Sequence, residues 1–440
     1  MSWLLALLLL APDPAADLRR ALAGVPREGL SIVVGGEGAA PMLAVAPDTP
    51  RIPASNAKLL TAAAAVVLLG EDFHFETTIG KTPDGALVVT GGGDPNLSGR
   101  FFDGDPERVL RLMARDVLAK GVREATELLL DASRFDDEFV HAGWPREQVE
   151  RWYCAPVAAL VYNDSCWDVT VYPRQRAGAA ARVDVRPAFL RASVSNRCET
   201  VTAAGQHVVH VGRGRETDVE VRGRILRTST GIPGHVAVRD PVAFFGRGLR
   251  SALEAEGVRV TGGVRRGRAA QQTPLVAYRS DLKRTLRVML TNSQNLYAEC
   301  TLKRLGGGSF ASGAEAVLRA LARLDVESAG IVVADGSGLA RSNRVTARAL
   351  YATLQAMRER SVYTGALAAG GEGTLRRRYR ELGARVRAKT GTIRGVKALS
   401  GYVTGRGGRR YVFVILANGR SAASARKLQD RVVRILAEAP

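Results

Sequence analysis

Ser55 and Lys58 form the first pair of residues whose types and spacing suggest chemistry. The chain has only eight lysines, so a lysine at this position needs a reason. Pro53 fits a helix start, and the alanines and leucines after Lys58 favour helix, which places residues i and i+3 on one face. A serine hydroxyl needs a base to act as a nucleophile, and a lysine can be that base when burial or a nearby cation lowers its pKa. The pair therefore predicts an activated serine.

Two further segments could complete such a site. In "TNSQNLYAE", Ser293 could relay a proton, and Asn295 offers both a hydrogen-bond donor and an acceptor. In "RAKTGTI", Lys389 could hold a carboxylate and supply the second cation, followed by Thr390 and then by Gly391, which would let another chain approach the strand closely. Alone, each segment is also compatible with a structural role, such as a helix-capping serine, a polar helix start or an edge-strand lysine.

The composition argues against several other classes of function. The net charge is +20, but the basic residues are scattered, and the densest cluster is "RRRYR" at 376–380. Without nucleic-acid motifs, this pattern favours solvated surfaces and predicts no nucleic-acid partner. There is no GxSxG nucleophile elbow and no phosphate-binding loop, and all five histidines fall within residues 74–235, which disfavours a Ser-His-Asp triad.

The four cysteines do not form a metal site by spacing. Cys154, Cys166, Cys198 and Cys300 include no CxxC pair and no histidine at ligand spacing, so we expect no metal and no cofactor. In an exported protein one disulfide is plausible, and Cys154 with Cys166 would close a short loop, but the pairing stays open.

The N-terminus predicts export. Trp3–Leu10 is an apolar run, too short to span a bilayer but suited to the hydrophobic region of a signal peptide. A small-residue cleavage site could fall near Ala16 or Ala23, so residues 1–23 are the expected leader. No later segment is apolar for long enough to be a transmembrane span.

Patterning predicts an α/β (α+β) fold with a large insertion. Runs at 30–34, 42–45, 396–404 and 409–419 form two hairpin patterns, and a fifth run covers "RVRAKTGTI", which together predict a mainly antiparallel five-stranded sheet flanked by helices. Residues 282–305, 311–324, 346–358 and the C-terminus have helical periodicity. Between about residues 60 and 280, short strand-like runs alternate with Gly, Asp and Pro, which indicates inserted β-rich material.

The three motifs occur in the order SxxK, SxN and KTG, which is the motif set of β-lactamases and penicillin-binding proteins. The chain most resembles the penicillin-binding-protein-4 type D-alanyl-D-alanine carboxypeptidase/endopeptidase family, the low-molecular-weight class C penicillin-binding proteins. The resemblance includes the following segments: "GGGDPNL", "GWP", "APVAALVYNDSCWDV", "SQNLYAE", "DGSGLARSNRVT" and "GGEGTL". That family also carries extra domains between SxxK and SxN.

The resemblance implies a β-lactamase/transpeptidase-like domain at 24–72 and 262–440. It further implies an inserted domain II at 73–165 and 225–261, and an inserted domain III at 166–224. The expected localisation is the periplasm or cell envelope. The expected partners are peptidoglycan peptides and β-lactam antibiotics, which would acylate the same serine.

The resemblance also implies roles for the site residues in a two-step acyl transfer on peptides ending in D-Ala-D-Ala. Ser55 would be the nucleophile and Lys58 its base, Ser293 would pass the proton to the leaving amine, and Asn295 would hold the substrate amide. Lys389, with Thr390 and Thr392 around Gly391, would bind the terminal carboxylate. Backbone N–H groups of Ser55 and Thr392 would form the oxyanion hole.

Three questions stay open at this level. A β-lactamase-like hydrolase and a catalytically weak peptidoglycan-binding homologue are the alternatives, although the insertion argues against the former and the intact motifs against the latter. The balance of carboxypeptidase and endopeptidase activity is undetermined. The diamino acid of the stem peptide is also undetermined, because Gln148 occupies the position where family members place an acid, with Glu147 and Glu150 as neighbours.

Overall fold

The computed structural model describes residues 13–440. Its helices are α1 Pro14–Leu22, α2 Ala57–Leu69, α3 Pro106–Ala119, α4 Pro241–Ala255, α5 Leu282–Thr291, α6 Asn295–Gly306, α7 Phe310–Arg323, α8 Ala347–Ala356, α9 Ser361–Thr364 and α10 Ala422–Glu438. Its strands are β1 Leu30–Gly36, β2 Pro41–Val45, β3 His74–Lys81, β4 Leu87–Thr90, β5 Glu124–Ala125, β6 Leu128–Asp131, β7 Cys166–Tyr172, β8 Arg182–Arg186, β9 Val194–Val201, β10 Val208–Gly212, β11 Val219–Leu226, β12 Ile232–Ala237, β13 Arg259–Val260, β14 Val264–Arg266, β15 Thr273–Asp281, β16 Ala368–Ala369, β17 Val386–Ile393, β18 Val396–Thr404 and β19 Arg410–Asn418.

The described residues pack as two compact units. Unit 1 contains residues 13–68, 286–293 and 317–440, and unit 2 contains residues 69–285 and 294–316. The fold class predicted from the sequence is confirmed. The finer boundaries predicted for the catalytic domain and for inserted domains II and III stay a prediction.

Unit 1 is built on one antiparallel sheet with the strand order β16-β17-β18-β19-β1-β2. The five predicted strands are all present, and both hairpins pair as expected. The sixth strand, β16, is only two residues long and pairs with Arg387 and Ala388. A strand this short carries no periodic signal, which is why the sequence pattern missed it.

The core of unit 1 lies between this sheet and the helices α1 and α10. Alternate residues of β19, such as Phe413 and Ile415, join a cluster with Leu18 of α1 and with Val432 and Leu436 of α10. Helix α10 begins where Ser421 accepts a hydrogen bond from Ser424 N, as expected for a serine N-cap. Helix α8 packs on β1 and β19.

Unit 2 contains the inserted β-rich material. Its largest sheet has the order β14-β6-β4-β3-β15, and two three-stranded sheets follow the orders β12-β7-β8 and β10-β11-β9. Helices α3 and α4 pack against each other, and each begins with an aspartate N-cap followed by proline, at Asp105 and Asp240.

The sequence pattern misjudged one region as continuously helical. The periodicity from Leu282 to Leu305 corresponds to two helices, α5 and α6, separated at residues 292–294. The backbone of Ser293 has φ +63°, a left-handed conformation that an α-helix cannot contain. The break therefore interrupts the helical pattern at the serine of the SxN motif.

Two observations concern export and cysteine chemistry. Residues 1–12 of the predicted leader lie outside the described residues, whereas Leu18, Ala21 and Leu22 are buried side chains of α1. All four cysteines fall inside the described range as buried free thiols, so the disulfide that export would permit is not formed. No helix within residues 13–440 is long and apolar enough to cross a membrane.

Candidate active site

The predicted contact between Ser55 and Lys58 is present in unit 1. Ser55 lies in a 3₁₀ turn, Ala54–Asn56, that leads directly into α2, and Lys58 lies in the first turn of that helix. Lys58 Nζ donates to Ser55 Oγ over 3.2 Å and to the carbonyl oxygen of Ser337 over 2.9 Å. The lysine side chain is fully buried, because α2 is apolar all round and enclosed from Ala57 to Val66.

Ser293 and Lys389 form a second contact. Lys389 Nζ donates to Ser293 Oγ over 2.8 Å and to the carbonyl oxygen of Thr390 over 2.8 Å. Lys389 is fully buried, and its pKa lies well below the ordinary value for lysine. The main cause is burial, which disfavours the charged form, and the charge of Lys58 lowers the pKa further.

The backbone is strained at both serines, at the residue before Ser55 and at Ser293 itself. Ala54, immediately before Ser55, has φ +47°, and Ser293 itself has φ +63°. Residues other than glycine adopt this region rarely, because the Cβ atom is crowded there. Such conformations persist only where the surrounding structure imposes them, and they cluster at functional sites.

Asn56 and Gly391 attach the Ser55 turn to the sheet. Asn56 Nδ2 donates to the carbonyl oxygen of Lys389 over 2.9 Å, and Asn56 Oδ1 accepts from Ser400 Oγ over 2.7 Å. A Cβ atom on Gly391 would lie 2.8 Å from Pro53 O, so glycine allows the turn to approach β17. Sequence reasoning expected another chain to approach Gly391 and missed both this use of the glycine and the role of Asn56.

The "DGSGLAR" segment holds the acceptor for Lys58. Asp335 is fully buried and accepts from Gly338 N over 2.7 Å and from Ala340 N over 2.6 Å. Thr61 Oγ1 of α2 donates to Gly336 O over 2.8 Å, which fixes the loop on the helix. The loop therefore presents Ser337 O to the Lys58 ammonium group. The glycine-rich sequence was the available signal, but the pattern alone did not indicate what the loop binds.

The edge of β17 is open next to the site. Within the described residues, β16 pairs with β17 only as far as Ala388, so no strand covers the outer edge from Lys389 to Ile393. Such an edge offers backbone N–H and C=O groups to an extended peptide. Thr392 is exposed on this segment, and its Oγ1 accepts from Lys397 Nζ over 3.1 Å.

Most of the predicted site residues line one cavity of about 650 Å³ in unit 1. Ser55, Ser293, Thr390, Gly391 and Thr392 all contribute to its wall. This volume is in the range of pockets that enclose small ligands. The nucleophile candidate Ser55, the proton-relay candidate Ser293 and the carboxylate-binding candidates Thr390 and Thr392 thus face one space, whereas Lys389 lies buried behind this wall.

Asn295 belongs to unit 2, where it is the first residue of α6. Its side chain Nδ2 donates to the carbonyl oxygen of Tyr153 over 2.7 Å, and the Tyr153 hydroxyl donates to Gln148 Oε1 over 2.9 Å. Tyr153 therefore connects Asn295 to the segment where Gln148 stands in the place of the expected acid.

The chain is similar to known proteins over most of its length. The model of the D-Ala-D-Ala carboxypeptidase 3 (S13) family matches residues 20–439. A D-alanyl-D-alanine carboxypeptidase from Actinomadura sp. (strain R39) is 33% identical over 425 residues, covering 88% of this chain and 77% of that protein.

Solved structures agree on the fold. The crystal structure of penicillin binding protein 4 (dacB) from Haemophilus influenzae has a TM-score of 0.80 at 23% identity, covering 97% of this chain and 100% of that one. A structure of the same protein complexed with a novel β-lactam has a TM-score of 0.73 at 22% identity, covering 96% of this chain and 98% of that one. The family predicted from the motifs is confirmed: the chain belongs to the D-Ala-D-Ala carboxypeptidase 3 (S13) family of serine peptidases.

Proposed function

We propose that this protein cleaves D-alanyl-D-alanine bonds of peptidoglycan stem peptides through an acyl-enzyme formed on Ser55. The observation that carries the proposal is the hydrogen-bond contact between the buried Lys58 Nζ and Ser55 Oγ, over 3.2 Å. A lysine held against a serine hydroxyl in an apolar site is placed, once it is a neutral amine, to accept the hydroxyl proton.

In the acylation step, Ser55 Oγ attacks the carbonyl carbon of the penultimate D-alanine. Its proton passes to Lys58, and backbone N–H groups of Ser55 and Thr392 stabilise the oxyanion. One such donor is typically worth about 10²–10³ in rate. The C–N bond then breaks, and the proton taken up by Lys58 passes by way of the Ser293 hydroxyl to the departing amine, which leaves Lys58 neutral again.

In the deacylation step, water attacks the Ser55 ester and the freed peptide carboxylate leaves, which restores the serine hydroxyl. Asn295 is assigned to the substrate amide. Lys389, Thr390 and Thr392 are assigned to the terminal carboxylate, since the outer edge of β17 begins at Lys389 within the described residues. No step requires a metal or a cofactor.

A β-lactam should acylate Ser55 as well. The complex of the Haemophilus influenzae protein with a β-lactam supports this, as does the carboxypeptidase activity named for the Actinomadura relative. The strained amide of a β-lactam presents the same carbonyl and a nearby carboxylate to the same groups. Export to the periplasm or cell envelope, where stem peptides are found, is part of the proposal.

The test is covalent labelling with a fluorescent penicillin, followed by mass spectrometry of the labelled peptide. We expect the label on Ser55, with complete loss in Ser55→Ala and retention in Ser424→Ala, a control at an exposed serine of α10. Label on another residue, or no label on the wild-type protein, would overturn the acyl-enzyme. Labelling without turnover of a D-Ala-D-Ala peptide would instead indicate a catalytically weak binding protein.

A further inference from the structure

The cavity that contains Ser55 has a second group of cations beyond Thr392. Arg376, Lys397 and Arg426 line it, and no acidic side chain among residues 13–440 forms an ion pair with any of the three. A fourth cation in the wall, Arg378, is already neutralised by Asp430 at 2.6 Å. The wall contains no acidic residue, so this end of the cavity carries a net positive charge.

Two buried polar atoms in the same wall have no partner within the described residues. Gln429 is only 2% exposed, and its Oε1 accepts from Arg378 Nη1 over 3.3 Å, but its Nε2 donates to nothing. Thr374 Oγ1 is likewise without a partner. A buried donor without an acceptor is costly, so these atoms indicate a ligand that accepts hydrogen bonds at this position.

The start of α10 adds to the positive field. Ala422 and Ala423 line the cavity in the first turn of this helix, whose N-terminal N–H groups favour a nearby negative charge. Burial and the charges of Arg426 and Arg378 lower the pKa of Lys397. A bound anion would offset that repulsion.

The position of Thr392 indicates which part of the substrate would contact the cationic end of the cavity. Its hydroxyl is assigned to the carboxylate of the departing amino acid, and Lys397 Nζ lies 3.1 Å from that same oxygen. The cationic region therefore continues the cavity on the leaving-group side of the scissile bond. D-alanine has a methyl side chain and offers nothing to bind there.

We infer that Arg376, Lys397, Arg426 and Gln429 form a subsite for a second carboxylate on the leaving group. This rests on the proposed function and deepens it: the preferred leaving group is a dicarboxylic D-amino acid, whose side chain carries an anion, rather than D-alanine. The bonds made and broken in the reaction are unchanged.

The test uses peptides with one acyl half and three different leaving groups, D-alanine, D-glutamate and D-glutamine. D-glutamine matches D-glutamate in size and lacks the second carboxylate. We expect kcat/KM to be about tenfold higher for D-glutamate than for D-glutamine, because charge-assisted hydrogen bonds are the stronger kind. Arg426→Gln should bring this ratio close to one, and added salt should lower it in the wild type.

The matched control is Lys427→Gln, which removes a neighbouring exposed cation of α10 that does not line the cavity. This variant should keep the wild-type ratio. A D-glutamate to D-glutamine ratio of kcat/KM near one in the wild type would overturn the subsite. So would a ratio that Arg426→Gln and Lys427→Gln lower equally. In either case, continued release of D-alanine would leave the proposed function intact. Failure to hydrolyse all three peptides, together with absent penicillin labelling, overturns the proposed function and the subsite with it.

Discussion

Lys389 Nζ lies 2.8 Å from Ser293 Oγ, although 96 residues separate the two in the chain. The same ammonium group is influenced by the charge of Lys58, which in turn contacts Ser55. Two buried lysines thus each contact one serine of the cavity. Their mutual repulsion matters for catalysis, because a lysine must lose its proton before it can act as a base.

Replacing Lys58 and replacing Lys389 should impair acylation in different ways. Lys58→Ala should slow acylation by every substrate by about 10²–10⁴, the usual contribution of a general base. Lys389→Ala should impair substrates with a free terminal carboxylate far more than amidated analogues, because it removes the anchor for that charge. Acylation kinetics with matched acid and amide substrates measure both effects. Equal losses for acid and amide in the Lys389 variant would contradict its assigned role.

The pH dependence of acylation tests the coupling of the same pair. With both lysines charged, repulsion and burial favour release of the first proton, so the rate should rise with pH through an apparent pKa well below about 10.4, the value of free lysine. In Lys389→Ala one repelling charge is gone, so the remaining amine holds its proton more strongly and the apparent pKa should rise. Rate–pH profiles of penicillin acylation for both proteins give the comparison. An unchanged or lower apparent pKa in the variant means that burial alone tunes the base.

Asn56 should position the nucleophile through the sheet. Its side chain joins the Ser55 turn to Lys389 O and Ser400 Oγ, and it is fully buried. Asn56→Ala leaves both partners unsatisfied, so we expect the free energy of unfolding to fall by about 1–3 kcal/mol, with slower acylation.

Ser400→Ala is the matched control for Asn56, since it removes one of the two hydrogen bonds and keeps the bond to Lys389 O. Urea denaturation and acylation rates for both variants separate stability from positioning. If Asn56→Ala loses stability but acylates at the wild-type rate, Asn56 stabilises the fold without positioning Ser55.

Local sequence signals predicted the parts of this protein that depend on neighbours in the chain. The strands β18 and β19 are indicated by their own apolar runs, and the contact of Ser55 with Lys58 by their i, i+3 spacing. Each of these signals is contained in a short stretch of sequence. The helix break at Ser293 was missed because apolar periodicity continues on both sides of it.

Local sequence patterns did not predict contacts between segments that are distant in the chain. The sequence around Lys397 and around Arg426 does not indicate that both residues line one cavity. They come together because α10 packs on β18 in the folded protein. The same holds for Asn56, whose partners on β17 and β18 lie 333 and 344 residues away. Tertiary packing alone brings such groups together.

The packing of helix α1 predicts where the leader can end. Leu18 is fully buried and Leu22 is 8% exposed, and both belong to the cluster that includes α10. A chain that starts at Gly24, as cleavage at Ala23 would produce, should lose this packing, whereas a chain that starts at Asp13 should keep it. Truncating one buried leucine to alanine typically costs about 2–5 kcal/mol, so the shorter chain should unfold at clearly lower urea concentration.

Two point variants separate the loss of packing from the loss of residues. Leu18→Ala in the full chain should lower the free energy of unfolding by about 2–5 kcal/mol, and Arg19→Ala, at an exposed position of the same helix, should change it little. N-terminal sequencing of the exported protein should then give a first residue no later than Pro14. A mature protein that begins at Gly24 with full stability would show that α1 is dispensable and that the leader extends through Ala23.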